Sequence, residues 1–379
     1  MKKTIKILIL LLISIFIIGC NKDEKPEETN NKTGESKETL PVSEETDSQF
    51  ESEDTIEESS ETEEINNTSS GKAKEYISFD KNMRYHFEGE GNEYASFDVY
   101  VDYTTDDIIQ FRVDNGGSQL VEVVRKNDNN LSKNLSRGEV YYRENLTSKE
   151  DSNKDIILMD PISKGTSWTT SENESRIITD VEVEISTPIG TFDTVEVTTK
   201  GDYGNTKEYY AKEVGLVKRI YIQDDEEIIS TLSKIEKNMP YVQTVRFFYP
   251  DDNMEGIIYK DKEISFNTND ITKMILEKEY KNLENDNVSR VLPANAKILS
   301  LYLHDDNSVY IDFSIELINE MSAGSGYESL ILQSIVNTFG NYYGVEDVYL
   351  TVENNPYESG HILLKKGQKL KVDFDNAIE

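Results

Sequence analysis

The sequence has few of the residues that build most metal and redox centres. Its 379 residues include one cysteine, three histidines and one tryptophan. A single cysteine forms no disulfide within the chain and provides no zinc-thiolate cluster. His86, His304 and His361 stand far apart without partners at metal-ligand spacing, so we expect ordinary surface or strand histidines. The sequence therefore predicts no metal site, and burial of apolar surface and hydrogen bonds have to stabilise the fold.

Motifs of the common enzyme classes are also missing. The chain has no glycine-rich phosphate loop, no serine nucleophile elbow, no His-Glu-x-x-His helix and no calcium-binding loop of alternating acids. Neighbouring carboxylates on a strand point to opposite faces, and in turns they usually bond their own backbone. We therefore predict no catalytic residue, no cofactor and no enzymatic activity for the adjacent acidic pairs, which are Asp106-Asp107, Asp224-Asp225, Asp251-Asp252 and Asp305-Asp306.

Positive charge is scarce relative to negative charge. The chain has 73 acidic and 40 basic side chains, which give a formal net charge of -33. Nucleic acids and anionic membrane surfaces are polyanions, so both repel such a chain. The charge predicts no nucleic-acid partner, and it favours solubility, bound cations or a basic protein partner.

Long apolar runs are absent except at the amino end. Basic residues in the first six positions precede a 12-residue run, 7–18, that is apolar except for Ser14, and Gly19 and Cys20 follow before the chain turns polar. About 20 apolar residues are needed to span a bilayer as a helix, so this run is too short. The order of basic, apolar and small residues is typical of a signal peptide. Residues 17–20, Ile-Ile-Gly-Cys, resemble the lipobox of bacterial lipoproteins.

The lipobox resemblance implies how the protein is processed and where it works. In such lipoproteins the cysteine sulfur receives a diacylglycerol, and the signal peptidase then cuts ahead of that cysteine. Residues 1–19 would be removed, and Cys20 would anchor an extracytoplasmic protein to the cell membrane through its lipid. Two acyl chains give stable anchoring, whereas one alone holds only marginally. A plain transmembrane anchor and an ordinary cleaved signal peptide are the alternatives.

A strongly acidic stretch follows the lipobox. Residues 21–72 contain 17 acidic and 5 basic side chains, and Phe50 is the only aromatic residue. Such a composition cannot bury enough apolar surface to offset the conformational entropy lost on folding. We predict that residues 20–72 are the lipidated cysteine and a disordered acidic linker that acts as a spacer. Capture of a specific partner by the acidic tract is the alternative.

From residue 73 to 238 the pattern changes to short segments in which apolar and polar residues alternate. This period of two predicts strands, and helical periodicity is nearly absent. Gly116-Gly117 and residues 202–205 are predicted hairpin turns. We therefore expect one antiparallel β domain with strands at Ser96–Tyr103, Ile108–Val113, Leu120–Val124, Val140–Arg143, Ile156–Met159, Ile177–Ile185, Val195–Thr199, Tyr209–Ala211 and Leu216–Ile222.

Two stretches of this β region, 187–197 and 208–218, resemble a phrase found in exported β-rich bacterial proteins. The resemblance concerns architecture: Gly190 and Gly215 should take positive φ at turns. The apolar residues that should pack into the sheet are Phe192, Tyr210 and Leu216. A curved sheet of this kind can also hold an apolar molecule, although a packed core is the interpretation that we prefer for Trp168 and the many tyrosines.

Residues 241–379 contain several motifs in an order that resembles one known domain. The motifs are Val245–Asp251, Leu292–Ser300, Ser308–Leu317, Gly324–Glu328, Gln333–Phe339 and Gly344–Val348. They resemble the GerMN domain of sporulation and spore-germination proteins. The resemblance implies a domain that makes protein contacts and whose fold is similar to ring-building modules of envelope-spanning assemblies.

Residue patterns predict a compatible fold for this region without the family. Apolar residues at helical spacing predict helices over 270–283 and 328–339, the first with Asn269 or Asp270 as its N-cap. Alternation predicts strands at 298–303, 309–313 and 347–352. We expect one sheet beneath two helices, a small α+β sandwich.

The predicted fold class for the whole chain is therefore α+β, with a β-rich domain at 73–238 and a GerMN domain at 241–379. The predicted function is that of a membrane-anchored extracytoplasmic scaffold or binding lipoprotein. It would act through contacts with an envelope protein in spore formation, germination or envelope assembly, and self-association is an open alternative. The competing function is a carrier of an apolar ligand or wall fragment in the β domain. No ligand-binding residue is identified.

Replacing Cys20 by alanine tests the lipid anchor. Because the acyl chains attach to the cysteine sulfur, Cys20→Ala should carry no lipid and accumulate as an uncleaved precursor or a released soluble form. Labelling with a radioactive fatty acid and cell fractionation measure both, with Asn21→Ala as a control that should still be labelled. Normal maturation and acylation of Cys20→Ala would contradict the lipoprotein hypothesis.

Overall fold

The computed structural model describes residues 71–152, 154–253, 256–283, 288–375 and 377–378. Cys20, the predicted signal peptide and nearly all of the predicted linker lie outside these residues. The described residues belong to one compact unit. In the part of the chain that the structure describes, no helix is long and apolar enough to cross a membrane.

Twelve antiparallel strands form a single curved sheet between residues 83 and 237. They are β1 (Met83–Glu90), β2 (Phe97–Thr104), β3 (Ile108–Asp114), β4 (Gln119–Lys126), β5 (Asn130–Gly138), β6 (Asp155–Met159), β7 (Ser167–Thr169), β8 (Ser175–Thr187), β9 (Gly190–Lys200), β10 (Asn205–Ala211), β11 (Gly215–Gln223) and β12 (Glu226–Lys237). Their order is β6-β5-β4-β3-β2-β1-β12-β11-β10-β9-β8-β7. The edge strands β6 and β7 approach each other, since the Trp168 indole N–H donates to the Ile156 carbonyl at 2.9 Å. The sheet is therefore nearly closed around a concave face.

Most strands predicted from the period of two are present. Strands β2, β3, β4, β6, β8, β9, β10 and β11 overlap the predicted segments. Both predicted hairpin turns are confirmed, because Asn115 N–H donates to Ser118 O at 3.3 Å and Gly201 N–H donates to Gly204 O at 3.0 Å. Gly116 has a φ of 78°, which a residue without Cβ adopts at little cost.

The predicted strand at Val140–Arg143 is wrong. These residues form no strand, and their carbonyls bond elsewhere. The guanidinium of Arg112 donates to the carbonyl oxygens of Val140 and Tyr142 at 2.6 and 2.8 Å. The predicted segments also omit β1, β5, β7 and β12. Strand β7 is short and β5 is rich in polar residues, whereas β1 does alternate, with Met83, Tyr85 and Phe87 buried, and was missed.

Two smaller sheets, three α-helices and two short 3-10 helices at Ala73–Glu75 and Glu93–Ala95 complete the described chain. One sheet contains β13 (Tyr241–Pro250), β14 (Ile257–Phe266) and β20 (Ala377–Ile378). The other contains β15 (Ile298–His304), β16 (Ser308–Phe313), β17 (Asp347–Val352) and β18 (Asn355–Pro356) in that order, and β19 (Leu370–Lys371) also pairs with β17. The helices are α1 (Thr272–Lys281), the single turn α2 (Glu316–Asn319) and α3 (Ser325–Tyr343).

The predicted α+β class is wrong. The structure is mostly antiparallel β, with 49% of the described residues in strands and 13% in helices. The expected sandwich, one sheet beneath two helices, is replaced by two separate sheets. The reason is that β14 was not predicted, because its charged run Lys260–Glu263 does not look like a strand. In the structure β14 pairs with β13 along its whole length. Strand β13 therefore does not join β15, β16 and β17, although the predicted helices are present as α1 and α3.

The predicted N-cap of α1 is also wrong. The N-cap position belongs to Ile271, and no side chain caps the helix there. Asn269 instead bonds the backbone of Thr104 on β2: its Oδ1 accepts from Thr104 N–H at 2.8 Å, and its Nδ2 donates to Thr104 O at 2.9 Å. Asp270 accepts the backbone N–H of Asn267 at 2.8 Å. Asn269 therefore fastens the start of α1 to the large sheet.

One apolar core crosses the predicted boundary near residue 240. Its members before the boundary come from β4, β5 and the loop that follows β5, and they are Val121, Val123, Leu135, Val140, Tyr142 and Leu146. They pack in the same cluster as Phe247 of β13, Leu276 of α1 and Phe339 of α3. The domain boundaries themselves stay a prediction, but removal of either part would expose this shared apolar surface to water.

A buried polar network lies within this shared core. Asp102, Arg112 and Arg143 are at most 1% exposed. Arg112 Nη2 lies 3.0 Å from Asp102 Oδ2, and Arg143 Nε lies 3.6 Å from Asp102 Oδ1. Arg143 also donates to the carbonyls of Asn267 at 3.0 Å and Asp270 at 2.6 Å. One arginine therefore binds the backbone just ahead of α1 while its partner carboxylate belongs to β2.

Replacing Asp102 by asparagine should destabilise the whole unit. The change leaves two buried guanidinium groups without their counter-charge, and breaking a buried ion pair from one side costs about 3–5 kcal/mol. Denaturant unfolding should show a loss of that size. The matched control is Asp261→Asn, because Asp261 forms a bidentate pair with Arg246 at the surface, where an ion pair contributes about 1 kcal/mol or less. Equal losses in both variants would contradict the structural role of the buried network.

Candidate functional site

The sheet of β15, β16 and β17 buries one face and opens the other. Side chains alternate along each strand, so every second residue points toward the core. The inward residues Val309, Ile311, Phe313, Val348 and Leu350 are at most 1% exposed. The opposite face carries the remaining side chains of β16 and β17, of which Tyr310 and Tyr349 are half-buried and Ser308, Asp312 and Thr351 are buried.

A row of three tyrosines crosses this open face, one on each strand. Tyr302 pairs with Tyr310 in the register of β15 and β16, and Tyr310 pairs with Tyr349 in the register of β16 and β17. The ring centroids are 5.7 Å apart for the first pair and 5.0 Å apart for the second. Tyr302 at the sheet edge is 38% exposed. We call Tyr302, Tyr310 and Tyr349 the tyrosine row.

A polar row runs beside the tyrosine row. Ser300, Asp312 and Thr351 occupy matching positions on the same three strands. Asp312 is only 4% exposed, and it accepts hydrogen bonds from Thr351 Oγ1 at 2.6 Å and from Asn354 N–H at 2.8 Å. Both rows line a shallow groove of about 140 Å³. The bonds of Asp312 hold the floor of this groove in shape.

Charged groups border the side of the tyrosine row that lies opposite the polar row. Asp306, in the turn between β15 and β16, lies 2.8 Å from Lys369 Nζ and accepts from the Tyr310 hydroxyl at 3.2 Å. The hydrogen bond from Lys369 holds the pKa of Asp306 well below its usual range. His304 stacks on Tyr310 with ring centroids 4.4 Å apart. The tyrosine row therefore has a fixed ionic border that positions the Tyr310 ring.

Of the other residues singled out in the sequence, His86 lies away from this face, whereas Asp305 and Asp306 lie at its border. His86 bonds Asp98 through Nδ1 at 2.8 Å on the large sheet. Among the described residues, no group of three or more histidines, cysteines and carboxylates could hold a metal ion. Of the acidic pairs, the one at 305–306 bonds its own turn, because Asp306 Oδ1 accepts from Ser308 N–H at 3.2 Å.

The resemblance within the β region gave the correct local architecture. Gly190 and Gly215 have φ of 140° and 102°, as the turn pattern predicts. Tyr210 is buried, and Phe192 and Leu216 pack partly buried against the apolar clusters. Sequence reasoning missed the tyrosine row. The sequence does show one tyrosine at a solvent-side position of each strand. Only the register of the strands in the sheet, however, places the three tyrosines side by side.

The comparisons with known proteins agree with the resemblance of the C-terminal region. Residues 246–358 match the family model described as "Germane: Sporulation and spore germination". The chain therefore carries a GerM-like domain, and the whole tyrosine row falls within it. No curated protein matches the chain.

Several solved structures are similar to part of the chain. The first GerMN domain of the sporulation protein GerM from Bacillus subtilis is 20% identical, covers 32% of this chain and 93% of its own, and has a TM-score of 0.26. The tandem GerMN domains of that protein are 15% identical, with 34% and 45% covered and a TM-score of 0.27. A candidate lipoprotein from Clostridium perfringens is 18% identical, with 35% and 87% covered and a TM-score of 0.24.

Proposed function

We propose that this protein works outside the cytoplasm in spore formation or germination and binds a protein partner through the tyrosine row. The observation that carries the proposal is the placement of this row on the open face of the domain that matches the Germane family. The family match supports the process, and the exposed aromatic face supports the mode of action.

The chemistry of the open face suits a protein contact. Tyrosine offers a large rigid apolar ring and a hydroxyl that bonds at the edge of an interface, so tyrosines concentrate where proteins bind each other. The row lies on regular strands, which present it without the entropy cost of ordering a loop. Asp306 and Lys369 form a polar border, as is typical of the rim of an interface. We propose binding without a catalytic step.

The position of the protein in the envelope is part of the same proposal. Lipid on Cys20 would hold the chain at the membrane, and residues 21–72 would allow the folded unit to reach a partner. The match to a sporulation and germination family supports an extracytoplasmic role, and the lipobox pattern of residues 17–20 supports the anchor.

A carrier of an apolar ligand is the competing function, and contacts inside the large sheet weigh against it. Trp168 is buried in a cluster with Leu158, Ile178 and Val197. Its indole N–H is already bonded to Ile156 O. These side chains pack against one another, which supports a structural role for the interior aromatic residues.

Replacing the tyrosine row by threonine tests the proposed function. The triple variant Tyr302→Thr, Tyr310→Thr and Tyr349→Thr removes the rings but keeps residues that favour strands. In a strain that lacks the gene, it should leave the yield of heat-resistant spores or their germination at the level of the deletion. Because Tyr310 and Tyr349 are half-buried and the rings contact each other across the strands, the free energy of unfolding should fall by about 1 kcal/mol per residue.

The matched control is Tyr203→Thr in the turn between β9 and β10, since Tyr203 is 73% exposed and lies outside the Germane match. It should restore spore yield and germination to the wild-type level. Co-purification from solubilised membranes, with mass spectrometry of proteins and lipids, should recover a protein with wild type and lose it with the triple variant. A folded triple variant that restores full function would contradict the proposal. A co-purified lipid without protein would favour the function of an apolar-ligand carrier.

A further inference from the structure

A second cluster of charges lies on the concave side of the twelve-stranded sheet. Glu208 on β10 is 8% exposed in its side chain and accepts from Arg219 Nε at 2.9 Å and from Arg176 Nη2 at 2.5 Å. Lys133 on β5 donates to Glu122 Oε1 on β4 at 3.0 Å. Neither pair takes part in the tyrosine row, so the cluster is independent of the proposed function.

The two charge pairs face each other across the interior of the sheet. Strands β4 and β11 are separated in the sheet order by β3, β2, β1 and β12. Leu131, on the same face of β5 as Lys133, nevertheless packs in one apolar cluster with Tyr210. The Tyr210 hydroxyl in turn donates to Glu208 at 2.9 Å. The curvature of the sheet therefore brings Lys133 and Glu208 to opposite walls of one recess.

Electrostatic effects agree with this placement. The pKa of the Lys133 ammonium is raised, chiefly by Glu122. Arg219 opposes that increase in pKa and Glu208 adds to it. Glu122 in turn contributes to the raised pKa of Arg219. Charged groups on each wall of the recess thus shift the pKa of a group on the other wall.

The recess keeps hydrogen-bond donors in contact with water. The side chains of Lys133 and Arg219 are 30% and 45% exposed, although they stand on the concave face. Within residues 71–378 as described, Arg219 donates only through Nε, and the Lys133 ammonium has one partner, Glu122. Both Nη groups of Arg219 are therefore available to a ligand.

The local charge also has the opposite sign to that of the whole chain. The cluster holds three cationic side chains and two carboxylates, which are Arg176, Arg219, Lys133, Glu208 and Glu122. Glu208 is already bonded by Arg176, Arg219 and Tyr210, so it leaves little negative charge unsatisfied. The recess is thus a small positive site in a chain of net charge -33.

We propose that this recess binds the phosphate group of an anionic ligand between Arg219 and Lys133. The planar fork of the arginine matches two phosphate oxygens, and the lysine ammonium provides a second point charge. Arg176 has its Nη groups committed to Thr199, Ile157, Glu208 and Tyr210. Arg176 is therefore a positioning residue that holds Glu208, and through it Arg219, in place.

Isothermal titration of the full chain with inorganic phosphate tests the site. The measurement uses about 0.15 M salt, where charges more than about 8 Å apart are largely screened, so the net negative charge does not mask binding. Wild type should bind one phosphate. Arg219→Gln and Lys133→Met should each weaken binding by at least about tenfold. Lys133→Met leaves all bonds of Glu208 intact, so its effect does not depend on that network.

Lys218→Gln is the matched control, because Lys218 precedes Arg219 on β11 and points to the opposite face. It should bind phosphate as wild type does. A parallel titration with dihexanoyl phosphatidic acid below its micellar concentration distinguishes a lipid headgroup from free phosphate, since a headgroup site should prefer the lipid and still depend on Arg219. Absence of saturable binding for both probes, or equal affinity in folded Arg219→Gln, would overturn the proposal.

Discussion

The buried ion pairs and hydrogen bonds of Asp102, Arg112 and Arg143 are the constraint on which the rest of the structure depends. Three charges are buried together, and none of them can be left alone without a cost of several kcal/mol. Arg143 donates to the carbonyls of Asn267 and Asp270 ahead of α1, and Arg112 donates to the carbonyls of Val140 and Tyr142. The large sheet and the C-terminal region are thus held in one arrangement.

This arrangement determines which surfaces remain for binding. The shared apolar core uses the inward face of β15, β16 and β17, so the tyrosine row is left on the outside. The charged recess lies on the concave side of the large sheet, where Glu122 of β4 points away from its neighbours Val121 and Val123, which belong to the shared core. Two surfaces of different chemistry are therefore presented by one compact unit, one aromatic and one cationic.

How far the sequence could predict this structure depends on how far apart along the chain the interacting residues lie. Alternation predicts β2 and β3 because their apolar positions follow a local period, and helical spacing predicts α3 for the same reason. Strand β14 is hidden by its charged run, and that one omission produces the wrong expectation of a single C-terminal sheet. Asn269 looks like a helix cap in the sequence, but its partner is Thr104, far away in the chain.

The candidate site shows the same limit. Each tyrosine of the row fits a solvent-side strand position, and only the register aligns them. Asp102 and Arg143 look like ordinary polar residues of a β region, because nothing local shows that both are buried. The family motifs predicted a GerMN domain within 241–379, and the Germane match at 246–358 supports a GerM-like domain there, since the order of motifs can be read without knowing long-range contacts.

Differential scanning calorimetry of the full chain tests most directly whether the junction makes the large sheet and the C-terminal region one cooperative unit. A shared core and a shared ionic network predict a single unfolding transition in which the calorimetric enthalpy equals the van't Hoff enthalpy. Two resolved transitions, or a calorimetric enthalpy about twice the van't Hoff value, would show that the two regions unfold independently. That result would contradict the account.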